Sequence, residues 1–180
     1  MLLVVFSCRS WVYESIATVI APENIKGIAR QRNEATRKLI TRLASSDKRR
    51  LDNIVHGFHH EIFSKYNCMQ CANCCRSLGP RITQRDIEVL AKTLKQKQQS
   101  FVETYLRIDS DGDYVFKQMP CPFLDGDNSC RVYQHRPKAC REYPHTDRPR
   151  FYQLLALSAK NAEVCPVVYE ILLRLEKMKI

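Results

Sequence analysis

Eight cysteines constrain this chain more than any other feature. Four fall within eight residues, in Cys68-Met-Gln-Cys71-Ala-Asn-Cys74-Cys75. Four more follow at Cys121, Cys130, Cys140 and Cys165, and only Cys8 lies upstream. Closely spaced thiolates repel one another unless a cation neutralises them. Zinc and iron–sulfur centres both do so, with four ligands as a rule. Eight clustered cysteines suffice for two four-thiolate sites, or for one site and a working thiol pair. The chain therefore reads as a metal protein, and the sequence does not choose between zinc and iron.

The spacing adds detail. Cys68, Cys71 and Cys74 are separated by two residues each, like the first three ligands of a bacterial ferredoxin run. The fourth cysteine of such a run is absent, because Leu78 stands there and Cys75 comes instead. Adjacent side chains diverge, so Cys74 and Cys75 face two sites, or one of them is a free reactive thiol. Any centre built here takes its last ligand from Cys121, Cys130, Cys140 or Cys165, and so ties distant parts of the chain together.

At 180 residues the natural expectation is one domain. The formal charge is +10, but no dense basic block stands out, so a diffusely solvated surface fits better than a nucleic-acid footprint. Leu2-Leu-Val-Val-Phe6 is apolar, yet Arg9 and Glu14 interrupt it and no basic stretch precedes it. No apolar run reaches the ~18 residues of a membrane span. The expectation is a reducing cytoplasm, where clustered cysteines mean metal or redox chemistry. An exported chain would instead make them a disulfide framework.

Three segments are expected: an apolar extension over 1–22 that resembles an over-long start, a helical hairpin over 23–66, and a cysteine-cluster domain over 67–180. Cys8 lies in the first and is given no role. Ile25, Ile28, Ala29, Leu39, Ile40 and Leu43 predict a helix over 23–45. Leu51, Ile54, Val55, Phe58 and Ile62 predict a second over about 48–66, with His56 and His60 as surface histidines on its other side. Thr83 and Asp86 form a capping signal before the stripe Ile87, Leu90, Ala91 and Leu94, and Ser100 with Glu103 repeats it for a short helix over about 101–106. The acidic stretch Asp109–Asp113 fails as a calcium loop, because its glycine would place Arg107 at the first ligand position. It reads as a turn before a strand over 114–118. Cys121 and Cys130 are expected on the two arms of a β-hairpin, Cys140 on a turn or short helix ended by Tyr143-Pro144, and a helix over 150–160. Cys165-Pro166 opens the last helix, where the dipole favours a thiolate. The fold class is mainly α (α+β), a small helical domain with one short β-hairpin organised around a cysteine-ligated metal centre.

Cys68-x-x-Cys71-x-x-Cys74-Cys75, Cys121-Pro-Phe-Leu, Cys130-x-Val-Tyr133, Arg136-Pro-x-x-Cys140-Arg-x-Tyr-Pro144 and Cys165-Pro166 resemble the YkgJ-like cysteine-cluster family, over about 66–178. The resemblance implies a zinc- or iron-chelating domain in which all eight of these cysteines are metal-ligand candidates. Bacterial flagellin N-methylases are similar to that family. Arg136, Arg141 and Tyr143 either donate hydrogen bonds to sulfur or simply cap and pack their turn. His145 and Asp147 are spare ligands by type.

Three functions stay open. The first is a metal-binding protein with a zinc or iron centre, iron–sulfur included, whose metal is structural or redox-active. The second is a metal-dependent protein-modifying enzyme similar to flagellin lysine N-methylase, acting with a protein partner. Gly27, Gly57, Gly79, Gly112 and Gly126 form no nucleotide-binding loop in its favour. The third is a zinc-stabilised nucleic-acid-binding module, which has the charge but no finger-type spacing.

Overall fold

The computed structural model describes residues 20–180. Cys8, and all but the last three residues of the apolar extension, lie outside the described residues. The fold is mostly helical with one two-stranded antiparallel hairpin, as the cysteine pattern and periodicity predict. No helix among the described residues is long and apolar enough to cross a membrane.

Two apolar cores organise the chain. The first joins the first and last helices of the described residues. Helices α1 (Ile25–Gln31), α2 (Asn33–Ala44) and α3 (Lys48–Phe63) pack with α9 (Leu155–Asn161) and α10 (Pro166–Glu176). Leu43, Leu51, Val55, Val167, Ile171 and Leu175 are buried there, each contributing about 1.5–3 kcal/mol by leaving water. The expected helix over 23–45 is broken at Arg32, with no glycine or proline to mark the place. A straight helix follows one line. The break turns the chain so that α1 lies against α10 while α2 reaches both α9 and α10. Arg32 binds Glu176 at 2.6 Å, and Arg42 donates to the Leu175 carbonyl at 2.9 Å, closing the C-terminal end of α10.

The second core lies between α6 (Gln84–Thr93), α7 (Gln98–Tyr105) and the hairpin β1 (Leu106–Ile108)–β2 (Tyr114–Phe116). Leu106 faces Phe116, and Ile108 faces Tyr114. The acidic stretch is the hairpin turn. Asp109 Oδ1 accepts from the amides of Asp111 and Asp113 at 3.0 Å each, and Gly112 takes φ 81.

Two expectations are corrected here. The Ser100 cap does not form, because α7 starts one turn earlier, after Lys97. Starting at Gln98 puts fully buried Phe101 against Phe123, and that burial outweighs a cap worth about 1 kcal/mol. The hairpin expected between Cys121 and Cys130 is reduced to one bridge, Leu124 to Cys130, around an Asp125–Ser129 turn. Pro122 supplies no N–H for a longer ladder. The true first strand runs straight off the end of α7, and no turn residue announces it. The helix expected over 150–160 begins as a 3-10 turn at Phe151–Leu154 before α9.

Asp86 connects this core to the cysteine region. Its capping box with Thr83 forms as predicted. Its other oxygen, Oδ1, accepts from the Lys138 amide at 2.9 Å and so holds the start of α8 (Lys138–Glu142), the helix that carries Cys140. Asp86→Ala is expected to lower stability by about 3 kcal/mol, since it strands the Lys138 amide as well as the cap; urea-unfolding midpoints check this. On the opposite side, His59 Nδ1 sits 2.8 Å from the buried Thr146 hydroxyl. Burial holds its pKa below the ordinary 6.5, against the pull of Asp147. A lowered histidine stabilises the fold above its unfolded pKa, and that contribution is lost as pH falls through the folded value. Thermal midpoints are therefore expected to fall below pH 6.5, and less steeply in His59→Gln.

Candidate metal centre

The first four cysteines sit on two short helices, α4 (Cys68–Cys71) and α5 (Asn73–Ser77). The Asn67 side chain caps α4 by accepting from the Met69 amide at 2.9 Å. Between the helices Ala72 takes the left-handed conformation, φ 48, and is buried. That geometry costs a residue with a Cβ about 1–2 kcal/mol. It is held by Asn73, whose Nδ2 donates to the Val164 carbonyl at 2.7 Å, and by Arg76, which donates to the Cys71 carbonyl at 3.1 Å. The reversal redirects the chain in mid-cluster. Cys74 and Cys75 therefore do not continue the helix of Cys68 and Cys71.

The later cysteines come to this corner from three directions. The Cys121 amide donates to the Cys75 carbonyl at 2.8 Å, which fixes the start of the Cys121–Cys130 loop beside α5. Asn128, in the following turn, donates to the Gln70 carbonyl at 3.0 Å and also binds Arg76. Cys140 rides on α8, and Cys165 is the N-cap of α10. Cys165 belongs to the first core, whereas Cys121 and Cys130 pack on the second. The cysteines thus collect at the seam between the two cores. All eight are free.

Burial dominates their electrostatics. It pushes the Cys121 thiol up to about 11, and those of Cys140 and Cys165 up to about 12; the Cys68 and Cys130 thiols rise as well. The N-terminal dipole expected to favour a thiolate at Cys165 is present, since the Val167 and Val168 amides donate to its sulfur. Desolvation outweighs them, so in the metal-free chain Cys165 stays protonated. Cys74 and Cys75 hydrogen-bond to each other, which raises Cys74 and lowers Cys75; Arg136 and Arg76 lower Cys75 further.

The polar residues near the sulfurs divide unequally. Arg136 both packs and acts electrostatically. It stacks 3.7 Å from the Tyr133 ring centre, donates to the Tyr133 carbonyl at 2.9 Å, and its charge favours thiolates at Cys68, Cys75, Cys130 and Cys140. Arg141 spends its guanidinium on the Arg136 carbonyl instead. Tyr143 and Tyr66 carry buried hydroxyls without a full hydrogen-bond partner. The atoms they approach are sulfurs, Cys165 for Tyr143 and Cys71 for Tyr66. Burial above all holds both phenols well above their ordinary range, so they remain O–H donors. Tyr66 was not visible as a site residue from the sequence; its place two residues before Cys68 is the one signal. The histidines turn elsewhere. His56 meets the Arg148 carbonyl at 3.0 Å, and His145 has Arg148, Glu142 and Asp147 as charged neighbours.

Among the described residues no three cysteine, histidine or acidic side chains stand close enough together to hold one ion. The corner brings together soft donors, all of them free thiols. Its chemistry nevertheless suits a soft cation. A neutral thiol is a poor acceptor, and an orphaned buried hydroxyl costs about 1–3 kcal/mol. A metal-bound thiolate carries charge and takes such a hydroxyl as a strong hydrogen bond.

A family model described as "CxxCxxCC: Putative zinc- or iron-chelating domain" matches residues 67–166, more than half of the chain. The chain belongs to this family. An uncharacterized protein of Methanocaldococcus jannaschii is 30% identical over 88 residues, 47% of this chain and 47% of that protein. The chain spans about half the length of that curated relative. No solved structure matches.

The orphaned hydroxyls give a direct test. Tyr143→Phe is expected to leave the metal-free fold as stable as before, or slightly more so, while metal retention against a chelator falls about 10- to 100-fold. Chelator competition on the metal-loaded protein, with unfolding of the metal-free form alongside, checks both halves.

Proposed function

We propose that this CxxCxxCC-family chain chelates zinc or iron, iron–sulfur included, through Cys68, Cys71, Cys74, Cys75, Cys121, Cys130, Cys140 and Cys165, and that the metal locks its two cores together. One observation carries the reading. Cysteines from α4, α5, α8, the Cys121–Cys130 loop and the start of α10 meet at the seam between the cores, beside two buried hydroxyls that lack acceptors. Structural zinc binding in small domains is worth about 10–16 kcal/mol, as much as the whole stability of an ordinary domain. A centre at this seam would dominate the stability of the fold. We place the chain in a reducing, cytoplasmic setting, where clustered cysteines serve metal rather than disulfides.

Anaerobic purification, elemental analysis, acid-labile sulfide and a visible spectrum test the proposal. Bound zinc or iron is expected, with sulfide and a brown chromophore if the centre is iron–sulfur. Cys71→Ser and Cys140→Ser are each expected to lower metal content and thermal stability. Replacement of Cys8 is expected to change neither. Metal content unchanged in both Cys71→Ser and Cys140→Ser would overturn the assignment.

A further inference from the structure

The eight cysteines are not evenly mixed at the seam. Cys165 is buried in the first core, and Tyr143 and Tyr66 pack against the same core. Those two tyrosines direct their unpartnered hydroxyls at Cys165 and Cys71. Asn73 ties the start of α5 to Val164, the residue before Cys165. Cys68, Cys71 and Cys74 are therefore held on the first-core side. Cys121 and Cys130 pack on the second core. The Cys121 amide is bound to the Cys75 carbonyl, and α8, which carries Cys140, is anchored on Asp86 of the second core. Cys75, Cys121, Cys130 and Cys140 are held on that side.

We propose that the thiols form two separate four-sulfur sites, Cys68, Cys71, Cys74 and Cys165 in one, and Cys75, Cys121, Cys130 and Cys140 in the other. This rests on metal chelation by the chain and says how the ligands divide. The two sites adjoin at the Cys74–Cys75 pair, consecutive residues of α5. The left-handed turn at Ala72, followed by the short α5, is what lets one eight-residue motif serve both sides.

The sites differ in what surrounds them. The first has two neutral hydroxyl donors, from Tyr66 and Tyr143. The second has the Arg136 cation, whose charge favours thiolate at Cys75, Cys130 and Cys140 and, across the boundary, at Cys68. The same four-thiolate chemistry is thus stabilised by hydrogen bonds on one side and by formal charge on the other. Arg136 is also salt-sensitive in a way that a buried hydroxyl is not.

The test measures metal, and sulfide where present, in the full chain purified anaerobically. Cys165→Ser is expected to keep roughly half of the wild-type metal, Cys121→Ser the other half, and the double variant none, as for two independent four-ligand centres. If either single substitution removed all the metal from protein that remained folded, the eight sulfurs would form one centre and the division would be wrong. If only one of the two mattered, a single site would remain, again against the division but not against chelation. A wild-type chain without metal would remove both readings together. A second measurement covers variants that fail to fold. Metal release from wild type to a chelator is expected in two phases; Tyr143→Phe should speed one, and Arg136→Gln the other. Both substitutions acting on the same phase would also overturn the division.

Discussion

The constraint on which the rest of this structure depends is the cost of placing sulfur charge out of water. A thiol packs well as a small apolar group, while a buried thiolate is costly unless a cation meets it. In this chain burial keeps Cys121, Cys140 and Cys165 protonated, with pKa values of about 11, 12 and 12. The metal-free corner is therefore a neutral, partly apolar patch that the two cores can enclose without collapse. A bound soft cation would change its character: the sulfurs would be deprotonated strong acceptors, and the Tyr66 and Tyr143 hydroxyls would have partners that a neutral thiol does not supply.

The two cores make this possible because neither closes the corner alone. The first is built from the first and last helices of the described residues, and Cys165 enters it at the N-terminus of α10, where Val167 and Val168 are fully buried. The second is aromatic at its centre, with Phe101 and Phe116 each against Phe123. Between them lie the short helices α4, α5 and α8, with little packing of their own, and the Cys121–Cys130 loop, which Phe123 pins to the second core. These are positioned by single polar links from Asn73, Asn128, Asp86 and the Cys121 amide. Such links set positions without supplying much stability, each being worth about 1 kcal/mol net. A strong, directional bond set at the seam is the element that the scaffold leaves to be added.

The sequence was informative where one residue type carries one physical role. Apolar periodicity gave α3 and α6, the capping box gave the start of α6, and Pro166 gave the start of α10. The cysteine spacing pointed to metal before any fold was known. Less legible were features set by tertiary packing. The break at Arg32 has no local signal, since it serves the path of α1 and α2 across α10. The start of α7 follows the burial of Phe101 over a locally better cap. The strand Leu106–Ile108 continues directly from a helix, so no punctuation separates the two. The hydroxyl of Tyr66 acquires its meaning only when Cys71 is placed beside it. Asp86 was read as a cap, but one carboxylate oxygen reaches residue 138, a partner that no local pattern displays.

The Cys74–Cys75 pair shows how such a site economises on sequence. Two adjacent residues cannot easily serve one tetrahedral ion, so a doublet is an odd choice for a single centre. Placed at a boundary it becomes useful, because one backbone anchor then locates a ligand on each side. The structure supplies the two conditions for this. The chain reverses at Ala72, which frees α5 from the line of α4, and α5 is bound at both flanks, through Asn73 to Val164 and through the Cys75 carbonyl to Cys121.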